Sequence, residues 1–132
     1  QMLTEFRESP RSVLLGTQSF WEGVDVRGAG LKLLIIDKLP FPNPSDPIYN
    51  AQSILIRDNG GNSFTELALP KTVLSLKQGF GRLMREASDM GLFVLGDSRI
   101  SSRSYRKYVI NNLPEMVWLD KHEDAVAWMR KL

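Results

Sequence analysis

The 132-residue sequence predicts an α/β domain with a mostly parallel sheet and helices on both faces. Two observations carry this. Strand-like and helix-like segments alternate along the chain. The strongest strand, Leu31 to Leu39, contains the unbroken apolar run Leu33-Leu34-Ile35-Ile36, which marks a strand buried on both sides.

The remaining elements follow in order. Met2 to Glu8 has a short helical pattern that breaks at Ser9-Pro10. Val13-Leu14-Leu15 reads as a buried strand, and a glycine-containing loop runs from Thr17 to Gly30. Four of the seven prolines stiffen the turn from Pro40 to Pro47. Asp46 then serves as an N-cap with Pro47 in the first turn, starting a helix through Arg57 that Asn59-Gly60-Gly61 ends. Phe64 to Leu69 predicts a helical turn, and Pro70 opens a long helix to about Glu86. Leu92 to Leu95 is a further strand. Ser101 or Ser102 caps a helix through about Asn112, and Met116 to Leu119 is a short strand. Asp120 and Glu123 resemble a capping box for a last helix burying Val126, Met129 and Leu132.

No cysteine is present, which excludes disulfides, thiolate metal sites and iron–sulfur ligation within this chain. One histidine, His122, cannot build an imidazole zinc site and is expected to be an exposed first-turn residue. No run reaches the 18 or so apolar residues of a membrane span and no signal peptide is visible, so a cytoplasmic protein without membrane contact is expected. The net charge is +2, but Lys71 to Lys107 holds eight bases against three acids, a local excess of +5. Such a segment suits an anionic partner, nucleotide or nucleic acid, although a solvated helix face accounts for the charge equally well.

The segment Gln78-Gly79-Phe80-Gly81-Arg82-Leu83-Met84-Arg85 concentrates the chemistry. On one continuous helix, Gln78, Arg82 and Arg85 would form a stripe, with Leu76, Phe80, Leu83 and Ala87 on an apolar one. Glycine costs about 1 kcal/mol against alanine in a helix. Gly79 and Gly81 therefore suggest a close approach of backbone to something else. A dinucleotide fingerprint does not fit, because its third glycine is missing. The polar ends of the expected strands, Thr17 to Asp25, Asp37 to Pro42 and Asp97 to Arg103, give the site a common address. Asp37 and Lys38 suit a local salt bridge. Trp21 and Tyr105 or Tyr108 could stack bases, but packing serves each at least as well.

Gln-x-x-Gly-Arg-x-x-Arg at 78–85 matches the sixth motif of superfamily 2 helicases, and Gly16-Thr17-Gln18-Ser19-Phe20-Trp21-Glu22-Gly23-Val24-Asp25 matches their fifth. With Ile35-Ile36-Asp37-Lys38-Leu39-Pro40-Phe41 between them, the chain resembles the DinG/XPD-like branch from about Ser12 to Ile100. The resemblance implies one domain over residues 1–132, the second, C-terminal RecA-like domain of an ATP-dependent DNA helicase. The chain begins with Gln and is expected to be a piece of a longer protein. Arg82 and Arg85 take the arginine-finger positions. Gln78, Gly81, Glu22, Gly23 and Asp25 fall at the nucleotide, and Thr17 and Ser19 at a DNA phosphate. The implied partners are single-stranded DNA and the N-terminal RecA-like domain of the same protein. No phosphate loop and no Asp-Glu-Ala-His box occur in these residues. ATP and Mg²⁺ would thus be bound mainly by that first domain. An iron–sulfur cluster is possible only there, and this chain alone is expected to be inactive. A helicase-derived module that binds nucleic acid without ATPase activity is the alternative.

Overall fold

The computed structural model describes residues 2–9, 11–18, 31–86 and 88–132. Helix α1 is Met2–Glu8 and strand β1 is Leu33–Ile36. Helix α2, Pro47–Asp58, starts as the sequence predicts: the Asp46 carboxylate accepts from the Tyr49 N–H at 2.7 Å. It ends before Gly60, whose φ of +79° is the left-handed turn that glycine adopts without strain. A π-helical turn, Phe64–Ala68, runs directly into α3, Leu69–Leu83. Strand β2 is Leu92–Leu95, followed by α4 (Arg99–Ser102), α5 (Arg106–Asn111) and α6 (His122–Met129).

β1 and β2 pair in parallel, Leu33 opposite Leu92 through Ile36 opposite Leu95. The 55 or so intervening residues supply the long crossover that parallel strands require. The core gathers Ile36, Leu39, Leu69, Val73, Leu76 and Val109, with Leu76 and Val109 fully buried. Leu69, Val73 and Leu76 recur at the spacing of one helix face, so α3 is the element laid across the strands.

The strands are joined beyond their ladder by a buried carboxylate. Asp97, only 3% exposed, accepts from the Leu39 N–H at 2.8 Å and from the Arg99 N–H at 3.0 Å. The Arg99 guanidinium closes on the same carboxylate at 2.6–3.0 Å. The Arg99 hydrogen bonds, outweighing burial, hold the Asp97 carboxyl well below the usual carboxylate range.

Several expectations need correction. Val13 to Leu15 is not a strand: Val13 and Leu15 stand 85% and 89% exposed, and no described strand pairs with the segment. Met116 to Leu119 is likewise unpaired, and the sheet has two strands among the described residues. Among the described residues the two sheet faces are unequally covered. A pleated strand turns alternate side chains to opposite faces, and here Ile36 is buried while Ile35 is 60% exposed. The helix expected from Ser101 to Asn112 is two short ones, because the backbone turns extended at Arg103, with φ −98° and ψ 149°. Lys121, not Asp120, caps α6 and makes no side-chain cap bond; Val126 is exposed, and Met129 and Leu132 are only half-buried.

Removing the Asp97 carboxylate leaves the buried Leu39 N–H without its acceptor, at a cost of about 1–3 kcal/mol. Asp97→Ala should therefore lower the urea unfolding midpoint by that equivalent. The lowered folded-state pKa has a defined sign. Its stabilisation is fully present above the unfolded carboxylate value of about 3.9 and fades as pH falls below it. Acid titration of the native protein and Asp97→Asn should show a shallower stability loss below about pH 4 in the variant.

Candidate nucleotide site

The exposed side of α3 carries Lys71, Ser75, Gln78 and Arg82 at i, i+4, i+7 and i+11, one polar stripe beside the buried one. Gln78 is exposed and Arg82 half-buried. Lys71, Ser75 and Gln78 of this stripe line a cleft of about 300 Å³ together with Gln18, Pro40, Pro42 and Leu74. Within it, the Gln18 amide donates to the Ser75 hydroxyl at 3.3 Å. The segment after Gly16, the loop after β1 and the exposed face of α3 thus meet. Thr17, beside Gln18, is exposed. Ser19, Trp21, Glu22, Gly23 and Asp25 lie outside the described residues.

Arg85 is not on the stripe. α3 stops at Leu83, and Met84 turns extended, with φ −119° and ψ 108°. In a continuing helix the N–H groups of Arg85 and Glu86 would bond back four residues. Instead they donate to Asp89 Oδ2 at 2.7 and 2.9 Å. A carboxylate competing for backbone donors ends the helix, so the expectation of a helix to Glu86 fails by one turn. Ala87 lies outside the described residues; Leu76 and Leu83 are buried and Phe80 half-buried, as the apolar stripe requires.

Gly81 is exposed, and a Cβ built there would meet no atom within 4 Å among the described residues. No atom of the described chain requires glycine at this position. The other sequence candidates behave as packing residues. Tyr105 meets Phe41 edge-on, with centroids 6.0 Å apart, and Phe64 at 5.5 Å. Arg99 lies 5.2 Å over the Phe41 ring. These groups line a second cleft of about 550 Å³ at the ends of both strands. Tyr108 is 41% exposed. Asp37 and Lys38 do pair, at 3.4 Å, but both are exposed and the pair contributes little. His122 is exposed at the start of α6. Among the described residues no three carboxylate, imidazole or thiolate groups gather as a metal site.

Lys71 and Ser75 were missed by the sequence reading, which placed the stripe at 78–85; their signal was the same helical spacing read one and two turns earlier. Asp89 was also missed, four residues after the arginine whose backbone it binds.

Residues 1–116 match the family model described as the helicase C-terminal domain. The chain belongs to that family. It is 47% identical over 114 residues to the ATP-dependent DNA helicase YoaA of Escherichia coli K12, covering 86% of this chain and 18% of that protein. It is 38% identical over 131 residues to the ATP-dependent helicase DinG of Mycobacterium tuberculosis H37Rv, covering 99% of this chain and 20% of that protein. The 3′-5′ exonuclease DinG of Bacillus subtilis is 40% identical over 114 residues, 86% of this chain and 12% of that protein. The chain spans a fifth or less of the length of these relatives. No described helix is long and apolar enough to cross a membrane.

Open space at Gly81 makes a stability prediction. Gly81→Ala should leave folding unharmed or raise stability by up to about 1 kcal/mol, because helix propensity improves and no atom of the described chain obstructs the methyl. Thermal or urea unfolding of the two forms measures it.

Proposed function

We propose that residues 1–132 form the second RecA-like domain of a DinG-like ATP-dependent DNA helicase. In this reading the domain closes over ATP and Mg²⁺ held by an N-terminal RecA-like domain and couples hydrolysis to movement along single-stranded DNA. The observation that carries it is the meeting of Gln18 with Ser75 in a cleft that also holds Gln78. Gln18 belongs to the first motif-like segment, and Ser75, 57 residues later, stands three residues before the second. The family assignment and the names of the relatives support the reading.

Each residue then has a physical task. Charge develops on the transferred phosphoryl group and on the leaving oxygen, and a guanidinium from a second domain offsets it. Arg82 and Arg85 supply that charge, one from the last turn of α3 and the other from the extended chain just beyond. The planar fork of arginine matches phosphate oxygens bidentately, which a lysine ammonium does not. Gln78, one turn before Arg82, hydrogen-bonds the nucleotide. The bare backbone at Gly81 admits the opposing domain. Glu22, Gly23 and Asp25 border the nucleotide, while Thr17 and Ser19 bind a DNA phosphate and position the strand without reading sequence. An iron–sulfur cluster, if the intact protein has one, belongs to its other domain.

In the intact protein, Arg85→Ala should lower DNA-stimulated ATP hydrolysis by about 10³–10⁵-fold, with single-stranded DNA binding retained. Arg85→Lys should recover little of the loss. Phosphate-release kinetics and fluorescence anisotropy of a labelled oligonucleotide separate the two effects. Turnover near the native rate in Arg85→Ala removes the finger role. Oligonucleotide binding without hydrolysis in the intact native protein would favour the binding-module reading that the +5 segment also suits.

A further inference from the structure

The turn that follows α3 is organised by one side chain. Asp89 Oδ2 accepts two consecutive backbone N–H groups, those of Arg85 and Glu86. The Asp89 N–H returns to the Glu86 carbonyl at 3.1 Å, closing the loop on itself. These bonds hold the backbone of Arg85 out of the helix and in one direction. The next fixed point is Gly91. A Cβ there would come within 2.6 Å of Leu83 Cδ1, so the returning chain lies tight against the last buried residue of α3. The segment between helix and strand is thus pinned at its start by a carboxylate and near its end by close packing.

Neither feature serves the core directly. Asp89 is only half-buried, and besides the two N–H groups the Arg85 charge attracts its carboxylate. Ending α3 does not require a charge either, since helices commonly stop with a glycine in the left-handed region. What the carboxylate adds is a defined direction for the residue whose N–H it binds.

We propose that Asp89 is a positioning residue for Arg85, fixing the backbone from which its guanidinium reaches the phosphate. The proposal rests on the nucleotide-site reading above. Asp89 does not touch nucleotide; it acts by restricting where Arg85 starts. A guanidinium placed about 1 Å away from its productive position loses about 10²-fold in rate, so a loosened turn should lower turnover more than nucleotide affinity. Both donating N–H groups favour the ionised carboxylate, with Glu86 the larger influence, and its pKa is accordingly lowered.

The test uses the intact protein and its DNA-stimulated ATPase, with Asp89→Ala, Asp89→Asn, Arg85→Ala and the double variant Asp89→Ala/Arg85→Ala. Asp89→Ala should lower kcat at least tenfold while the KM for ATP changes less than twofold. Asp89→Asn should retain most of the activity, because its amide oxygen can accept the same two N–H groups. In the double variant the loss should equal that of Arg85→Ala alone, since a residue that only positions Arg85 has nothing left to position. Three results overturn the proposal: normal kcat in Asp89→Ala, an Asn variant as impaired as Ala, or a further loss on the Arg85→Ala background. If Arg85→Ala turns over normally, the finger reading itself fails, and any kcat loss in Asp89→Ala then also refutes the positioning role. Should Asp89→Ala not fold, a native melting temperature with normal kcat in Asp89→Asn, together with tenfold loss in Asp89→Ser, supports the proposal. Full activity in the Ser variant refutes it.

Discussion

The Asp97 carboxylate is the constraint on which the arrangement of this chain depends. A two-stranded parallel ladder of four residues is a weak platform. Asp97 extends it by binding the backbone of Leu39 across the sheet, just where both strands end. Arg99 neutralises the charge that this requires in a buried place. Leu39 enters the core, and Pro40 and Pro42, immediately after it, form one wall of the cleft beneath Gln78. A backbone bond at the strand ends thereby reaches the proposed nucleotide surface.

Helix α3 joins that platform to the proposed nucleotide surface. Its buried stripe fixes it across the strands, so its opposite stripe has no freedom to rotate. Lys71, Ser75, Gln78 and Arg82 are presented in a row as a result. At its end a second carboxylate, Asp89, does for the backbone what Asp97 does between the strands. Both side chains accept from main-chain N–H groups and decide where the chain goes next. Asp97 is buried and braces the fold, whereas Asp89 is half-exposed and shapes the turn that carries Arg85.

Much of this was legible from residue order. The apolar run at 33–36, the Asp46–Pro47 helix start and the strand at 92–95 follow from local patterns that tertiary contacts did not override. What escaped depends on contacts distant in the chain or on side chains competing for backbone. Val13 to Leu15 has the composition of a strand, but a strand also needs a ladder partner that composition cannot name. Periodicity continued the helix through Arg85 because it counts apolar spacing and is blind to the carboxylate at 89. The pairing of Asp97 with Leu39 spans 58 residues and leaves no local trace. Of the expected stripe, Gln78 and Arg82 share a face of α3, Arg85 stands beyond its end, and Glu22 and Asp25 lie outside the described residues.

The account rests on guanidinium groups of this domain reaching a nucleotide held by another. The most direct measurement is a structure of the intact protein with ADP and a planar phosphoryl-transfer analogue bound. The account predicts the Arg82 and Arg85 guanidiniums within about 3 Å of analogue or β-phosphate oxygens, with the open backbone at Gly81 against the nucleotide-holding domain. Both arginines turned away from the nucleotide, with another residue's cation in contact with the analogue, would contradict it.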